Sequence, residues 1–195
     1  MNTLQLDHTI KQLIDTKAIV KILPCDIALH YVNSLLIKPS MEMCCLTVNL
    51  DQSNKPGSHW ISFLIDTKRK AIELFDSLAI HNFYPIHVLQ IMIAFRRKRY
   101  SVKSNLRFQS LNSNCCGHYC ALFFHHRLVL GIDFDTFCHM LNCQFPTFCA
   151  RDCAVYESVY KLCQNKPTSP YIQNNPSEKC ECIQICKQWT LCKLI

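Results

Sequence analysis

The chain has 195 residues, of which 49% are apolar and 18% are charged, and its formal net charge is +7. This size and composition are typical of one globular domain with a substantial core. No stretch reaches about eighteen consecutive apolar residues, which argues against a membrane-spanning helix. Residues 1–20 lack a basic region followed by an apolar run, so we expect no secretion signal.

Cysteine usage also bounds the setting of this protein. Fifteen cysteines is a high and odd number. Their spacing lacks the regular framework of a small secreted domain that is held by disulfides. We therefore expect a reducing compartment, in which oxidation would be a way to silence a reactive thiol.

Hydrophobic periodicity predicts the elements in chain order. The first is a helix at Thr3–Ile19, where apolar residues recur at helical spacing. The next predicted elements are a strand at Cys44–Leu50, a β-hairpin within residues 59–76, a helix at Ile86–Phe95, a strand at Ser104–Gln109 and a helix from Cys116 to Gly131. After Phe148 the sequence becomes polar and rich in cysteine, and prolines predict an irregular segment at Pro167, Pro170 and Pro176.

The hairpin brings two polar residues together. Residues 59–66 and 70–76 read as strands that are joined by a polar turn. If the hairpin is centred between Thr67 and Lys68, His59 lies directly opposite Asp76, with Cβ atoms roughly 5 Å apart. The same register puts on their face Ile61, Phe63, Ile72 and Leu74. A slip by one residue would move a whole strand to the opposite face, so this pairing is a prediction of register.

Four residue types that suit acyl transfer follow one another along the chain, namely His59, Asp76, Gln109 and Cys116. A thiol with a pKa near ~8.5 needs a base or a positive field to ionise at neutral pH, and His59 would be that base. Asp76 would hold the tautomer of the imidazole and stabilise the imidazolium. Gln109 would donate an amide N–H to the oxyanion that develops on the substrate.

Cys116 has a local argument of its own. It would lie in the first turn of its helix, where the macrodipole favours a thiolate. The chain has only three glycines, and Gly117, one of them, would let backbone or substrate approach closely. Cys115 is the alternative nucleophile, but the Cys-Gly pair and the seven-residue separation from Gln109 select Cys116.

Three motifs together resemble a known family: GSHW, a carboxylate seventeen residues after its histidine, and QSLNSNCCGHYC. They resemble the adenovirus endopeptidase (adenain) family of cysteine proteases, over about Ile22 to Phe148. SUMO-deconjugating proteases share the order of these residues but typically place the glutamine one residue closer to the cysteine. The resemblance implies an α+β, papain-like or adenain-type fold with a central mixed sheet and a helix that bears the nucleophile.

The implied activity is that of a cysteine endopeptidase. By this resemblance it would cleave viral structural precursor proteins, after small residues such as glycine, during virion maturation. Comparable proteases occur in adenovirus-like DNA viruses and in Maverick or Polinton elements. The implied location is the virion and the host nucleus or cytoplasm, and no membrane partner is expected.

Two features depart from the adenovirus members. They usually have a glutamate where this chain has Asp76, although aspartate can do the same work. They also bind a short basic peptide that can be disulfide-linked to a cysteine between the acid and the glutamine. Residues 77–108 contain no cysteine, which argues against that linkage and leaves non-covalent activation by a peptide open.

A basic run follows the predicted helix at Ile86–Phe95, and further cations lie nearby. The set is Arg96, Arg97, Lys98, Arg99, Lys103 and Arg107. One interpretation is a solvated helix end with cations at its favourable C-terminus. The other is a contact for polyanions, because the resemblance implies DNA as a cofactor or track. A nuclear localisation signal is also compatible with this run.

We predict a protease domain at residues 1–150 and a cysteine-rich C-terminal extension at residues 151–195. No metal site is predicted, since the tail cysteines lack paired CxxC spacing and a histidine; these are Cys180, Cys182, Cys186 and Cys192. The chemistry itself needs no cofactor. Two alternative functions stay open: a protease that removes ubiquitin-like modifiers, and an inactive nucleic-acid-binding module that retains the fold.

Overall fold

The computed structural model of this chain describes residues 1–14, 18–37, 43–80 and 84–164. Its elements are α1 (Thr3–Leu13), β1 (Ile19–Pro24), α2 (Cys25–Ile37), β2 (Met43–Asn49), β3 (Trp60–Asp66), β4 (Ala71–Phe75), α3 (Ile86–Arg97), β5 (Ser101–Ser104), α4 (Cys116–Leu128), α5 (Phe134–Gln144) and α6 (Phe148–Gln164). They belong to two compact units, which we name the sheet unit (Thr16–Arg107) and the helical unit (Met1–Asp15 with Phe108–Ile195). The predicted α+β class is confirmed.

The sheet unit contains a five-stranded mixed sheet with the strands in chain order, β1-β2-β3-β4-β5. The two inner pairings, β2 with β3 and β3 with β4, are antiparallel. The two outer pairings are parallel, and each parallel pair is connected through a helix, α2 or α3. Such crossovers are what parallel neighbours require, because a short turn cannot join them.

One face of this sheet packs against both crossover helices. The core there combines Cys25, Ala28, Val32 and Leu35 of α2, Val88, Ile91 and Phe95 of α3, and alternate residues of the strands, Cys44, Leu46, Val48, Ile61, Phe63, Ile65, Ile72 and Leu74. The side chains of every second residue along a strand point to the same face, so this core includes every second strand residue. The sequence placed Ile61, Phe63, Ile72 and Leu74 on one face, and this is confirmed.

The register of the β3-β4 hairpin differs from the prediction by two residues. Asp66 pairs with Ala71 and Phe63 with Leu74, so the hairpin is centred between Lys68 and Arg69. The reason lies in the turn, where the Asp66 side chain accepts a hydrogen bond from the Arg69 N–H at 2.8 Å. A shift by two keeps every side chain on its predicted face, since strand side chains alternate with a period of two.

The predicted strand at Ser104–Gln109 is wrong. Strand β5 ends at Ser104. Beyond it, the side chain of Asn105 binds the backbone groups that a further strand residue would otherwise pair with. The Asn105 side chain accepts from the Asp76 N–H at 2.8 Å and donates to the Asp76 carbonyl at 2.7 Å. Because one carboxamide satisfies both backbone groups, no further residue of the chain needs to pair with β4.

Helix α4 lies at the centre of the helical unit. Helices α1, α5 and α6 all pack against it, and its side chains are buried on every side, as is typical of a core helix. Phe123 contacts the rings of Phe134 and Phe137 at centroid distances of 6.0 and 5.7 Å. Gln12 of α1 donates to the carbonyl of Cys163 in α6 at 3.1 Å. These contacts fix the helix that begins at Cys116.

Helix α1 begins at the expected residue but ends earlier than predicted. A capping box starts it, in which Asn2 and Gln5 each accept the other's backbone N–H at 2.9 Å. It ends at Leu13. The predicted helix to Ile19 is wrong because β-branched Ile19 and Val20 pair in parallel with β2 instead.

Residues Phe148–Gln164, for which the sequence predicted no element, form α6, which buries an apolar face that includes Val155 and Val159. The predicted domain boundary at residue 150 falls within this helix. The prolines and the tail cysteines on which that prediction rested lie outside the described residues. None of the helices in the described part of the chain has the length and apolar character that crossing a membrane requires.

Gly57 shapes the loop that leads into β3. Its φ angle is +95°, a region that L-residues other than glycine rarely adopt. A Cβ atom there would lie 2.5 Å from Nδ2 of Asn49. Asn49 cannot easily turn away, because its Oδ1 accepts the Asp51 and Ser58 N–H groups at 2.9 and 3.3 Å.

We expect Gly57→Ala to lower the free energy of unfolding by about 2–3 kcal/mol, from backbone strain and the clash with Asn49. Gly131→Ala is the matched control, since its φ is +68° and a Cβ atom would meet nothing within 4 Å. It should cost only the left-handed strain, about 1–2 kcal/mol. Urea unfolding of both variants measures the difference, and equal losses would show that the Asn49 contact adds nothing.

Candidate active site

His59 lies directly before β3 and is 5% exposed. Its carbonyl accepts the Leu50 N–H at 2.9 Å, which extends the ladder between β2 and β3 by one pair. Its Nε2 lies 2.7 Å from Oδ1 of Asp76, the first residue after β4. The predicted contact between these two side chains is therefore confirmed, although they are not the directly opposed pair that the sequence predicted.

The Asp76 carboxylate is completely buried and accepts several hydrogen bonds. Besides His59, its donors are the Leu78 N–H at 2.9 Å, the Ile80 N–H at 3.2 Å and the Tyr84 hydroxyl at 2.9 Å. Burial is the largest single influence and raises its pKa. The hydrogen bond and charge of His59, with the bonds from Tyr84 and Leu78, outweigh burial and hold the pKa of Asp76 below its ordinary value.

An ionised Asp76 fixes the tautomer of His59. A carboxylate only accepts hydrogen bonds, so Nε2 of the imidazole must carry the proton in their 2.7 Å contact. In the neutral ring Nδ1 is then the basic nitrogen that can take a proton. The arrangement is that of a base with a second group behind it that orients it, which acyl-transfer sites share.

Gln109 lies in the loop between β5 and α4 and is 1% exposed. Its side-chain amide donates to the Ser113 carbonyl at 2.6 Å. The Ser113 hydroxyl in turn accepts the Cys115 N–H at 3.3 Å. A short chain of contacts therefore links the amide of Gln109 to the residue before Cys116.

Cys116 is the first residue of α4, as predicted, and is 9% exposed. The positive end of the helix macrodipole acts on this first turn, where it favours a thiolate. Gly117 allows a close approach, since a Cβ atom there would lie 3.3 Å from the sulfur of Met1 and 3.4 Å from its Cβ. The close neighbour is thus the segment that leads into α1.

The four candidate catalytic residues fall into two pairs within their units. His59 and Asp76 touch in the sheet unit, and Gln109 and Cys116 belong to one short segment of the helical unit. A joint site of all four residues stays a prediction.

All six cations of the predicted basic set are exposed. Arg96 and Arg97 form the last turn of α3, and Lys98 is its C-cap. Lys103 is the cross-strand neighbour of Glu73. The structure adds three cations that the sequence prediction missed, Lys68, Arg69 and Lys70 in the β3-β4 turn, because the Ser101 N–H bonds the Lys70 carbonyl at 2.8 Å.

Several supporting residues were also missed from the sequence. Tyr84 and Asn105 hold Asp76, and Ser113 holds Gln109. Asn105 could have been recognised, because asparagine is disfavoured inside strands and lay within a predicted strand. Tyr84 gave no such signal. Among the described residues no cluster of three metal-ligating side chains occurs.

No protein-family model and no curated protein matches this chain. Solved structures do match, and the ASFV pS273R protease is one, with 20% identity, coverage of 63% of this chain and 55% of that chain, and a TM-score of 0.41. This chain thus spans about half the length of that protein. At this identity and TM-score, the likeness carries no conclusion about the function of this chain.

Two other solved structures with similar scores can be named. The SUMO protease Ulp1, with its catalytic cysteine oxidized to a sulfinic acid, has 14% identity, coverage of 82% of this chain and 78% of that chain, and a TM-score of 0.42. ChlaDub1 from Chlamydia trachomatis has 16% identity, coverage of 65% and 64%, and a TM-score of 0.48.

We expect Asp76→Asn to lower the free energy of unfolding by about 1–3 kcal/mol at pH 7, because an amide NH₂ would face groups that are themselves donors. The lowered pKa of Asp76 means that its charge stabilises the fold above about pH 4 and that this contribution is lost as pH falls through the lowered value. The difference between wild type and variant should therefore shrink in acid. Urea unfolding across pH measures it.

The matched control is Tyr84→Phe, which removes one donor to Asp76 and keeps its charge. It should cost about 1 kcal/mol and retain the pH dependence of wild type. A difference between wild type and Asp76→Asn that stays constant down to pH 3 would contradict this account.

Proposed function

We propose that this protein is a cysteine endopeptidase that uses Cys116 as its nucleophile. The observation that carries the proposal is the buried contact of 2.7 Å between His59 Nε2 and Asp76 Oδ1, which leaves Nδ1 as the basic nitrogen. Such an oriented imidazole serves to move protons, and it requires a nucleophile. Cys116, at the positive end of a buried helix, is the candidate for that role.

The proposed reaction is acyl transfer through a thioester. Nδ1 of His59 takes the thiol proton, and the sulfur of Cys116 attacks the peptide carbonyl. Gln109 and backbone N–H groups bind the oxyanion. His59 then gives its proton to the amine as the C–N bond breaks, and water that is deprotonated by His59 hydrolyses the thioester. No metal or redox step is needed for this sequence of events.

The proposed substrates are viral structural precursor proteins that are cut during virion maturation, in the virion or in the host nucleus or cytoplasm. This part rests on the motifs that resemble adenain. Removal of a ubiquitin-like modifier is an alternative that uses the same chemistry, and the catalytic residues alone do not distinguish the two. A short activating peptide, bound without a disulfide, belongs to the same proposal.

We expect iodoacetamide to label wild-type Cys116 about tenfold faster at pH 7 than an ordinary thiol, because an unperturbed thiol is only a few per cent ionised there. Cys116→Ser should abolish the fast labelling and all peptide cleavage. The experiment uses reducing conditions, with and without DNA, and follows labelling by peptide mass spectrometry.

Cys115→Ser is the matched control, since it changes the neighbouring thiol and should keep both signals. A panel of glycine-containing peptides and of fluorogenic ubiquitin and SUMO conjugates separates the two substrate classes. If Cys116 labels no faster than the other cysteines and neither class is cut, the inactive nucleic-acid-binding module becomes the better account.

We also propose that DNA binds the sheet unit. What supports this is a basic end, which we define as residues 68–70 and 96–99, where a turn and a helix terminus bring seven cations to the start of β5. Phosphate backbones bind such surfaces through counterion release, without base contacts. The basic end has more cations than stabilisation of the end of α3 requires. This excess favours DNA binding over a merely solvated helix end.

We expect the double variant Arg96→Gln with Arg97→Gln to reduce the slope of log affinity against log salt by about 2. Binding to a labelled DNA duplex is measured by anisotropy over a range of salt concentrations. The control changes Lys21 and Lys55, exposed cations of the same unit outside the basic end, to glutamine. Equal slopes in both double variants would refute a specific role for the basic end.

A further inference from the structure

Gln109 is held from both sides through its neighbours. The carbonyl of Phe108 accepts a hydrogen bond from Nη1 of Arg151 at 3.0 Å. The N–H of Ser110 donates to Oδ2 of Asp152 at 3.1 Å. Two consecutive residues of α6 thus bind the backbone immediately before and after Gln109, although each lies more than forty residues along the chain from the residue it binds.

Asp152 also ties this loop to the helix of the nucleophile. Its Oδ1 accepts the hydroxyl of Tyr119 at 2.9 Å, and that hydroxyl lies 3.3 Å from the Phe108 carbonyl. Tyr119 follows Cys116 by one turn of α4. The Ser113 hydroxyl bonds Asp152 as well. One buried carboxylate therefore joins Tyr119 of α4 to Ser110 and Ser113 in the loop of residues 105–115, which we name the Gln109 loop.

Arg151 is buried, and its guanidinium donates hydrogen bonds to three carbonyl groups. Its Nε bonds the Leu141 carbonyl at 2.7 Å and its Nη2 bonds the Phe145 carbonyl at 3.0 Å. The guanidinium lies 5.6 Å from the ring centroid of Phe108 and 5.3 Å from that of Phe148. A planar fork with three bonds in three directions is rigid, so it holds the Phe108 carbonyl in one place.

Burial of these charges is unfavourable on its own. Burial is the main cause that raises the pKa of Asp152, and it lowers the pKa of Arg151. Apolar residues would fill the same space without that cost. Two of the backbone groups that these charges bind, the Phe108 carbonyl and the Ser110 N–H, flank Gln109.

We propose that Arg151 and Asp152 are positioning residues for Gln109, and this inference rests on the proposed role of Gln109 as an oxyanion donor. They act through the backbone of Phe108 and Ser110 and touch no reacting atom. Preorganised donors stabilise an oxyanion only when their position is fixed before the reaction. Displacement of Gln109 should therefore slow acyl transfer and leave the ionisation of Cys116 unchanged.

The test compares Asp152→Asn with wild type in two kinetic assays. We expect kcat for peptide cleavage to fall about 10- to 100-fold with little change in KM, somewhat less than for loss of an oxyanion donor outright. The rate of Cys116 alkylation by iodoacetamide should stay within twofold, because alkylation forms no oxyanion. Combining Asp152→Asn with Gln109→Ala should add little to the loss of Gln109→Ala alone.

Asp133→Asn is the matched control, since this aspartate caps α5 in the same unit by accepting the Thr136 N–H at 2.9 Å. It should lower stability and keep kcat. If Asp152→Asn does not fold, Tyr119→Phe takes its place, because it removes one bond to Asp152 and retains all charges. The inference would be overturned if the kcat losses of Asp152→Asn and Gln109→Ala multiply in the double variant. A kcat of Asp152→Asn equal to that of Asp133→Asn would overturn it as well.

A readout without activity separates this inference from the proposed function. The side-chain amide protons of Gln109 can be assigned in NMR spectra by the loss of their signals in Gln109→Glu. They should exchange with solvent slowly in wild type and fast in Asp152→Asn. Slow exchange in both proteins would overturn the positioning role. Wild type that cuts no substrate but shows the expected change in exchange would refute the endopeptidase and retain the structural coupling.

Discussion

The contact between His59 and Asp76 is the constraint that the strands on either side of it must meet. It requires the ends of β3 and β4 to be held to within a fraction of an ångström, at a point where the ladder between them has already stopped. The bond from Leu50 holds the backbone of His59, and Asn105 holds both backbone groups of Asp76. The geometry of the pair is thus fixed by backbone contacts that involve neither catalytic side chain.

Sequence patterns predicted the faces of the strands better than their register. Alternation of apolar residues decides which face a residue such as Phe63 occupies, and a shift by two residues leaves that face unchanged. The centre of the turn depends on the hydrogen bond from the Arg69 N–H to the Asp66 side chain. The alternation of apolar residues carries no information about that bond. This is why the predicted contact of His59 with Asp76 is confirmed while their predicted direct opposition is wrong.

The helix of Cys116 was predictable for a related reason. The sequence marks its end by Gly131, and its apolar length exceeds that of a strand. The positions of Arg151 and Asp152 were not predictable, because a polar pair in a cysteine-rich segment reads as solvated surface. Only the tertiary fold brings them to the Gln109 loop, and local sequence holds no trace of a partner so distant in the chain.

Two buried carboxylates show how surroundings decide the state of the same group. His59 and several donors lower the pKa of Asp76, whereas burial prevails at Asp152 and raises its pKa despite Tyr119, Ser110 and Arg151. The difference lies in the partner, since His59 bonds Asp76 directly and the guanidinium of Arg151 is directed to carbonyl groups. Asp76 is therefore suited to stabilise a charge that appears beside it.

Asp152 is suited to a different task. Its bonds run to the hydroxyls of Tyr119 and Ser113 and to the Ser110 N–H, so it fixes the positions of neutral groups. Three of the candidate catalytic residues, His59, Asp76 and Cys116, lie where regular structure begins or ends, and Gln109 lies in a loop. At such places a helix or ladder cannot satisfy the whole backbone. Side chains such as Asn105 and Asp152 replace it at those points. A site of this kind therefore needs buried polar residues that take no part in the reaction. Their burial lowers stability, and it is required because the catalytic residues lie where regular structure is interrupted.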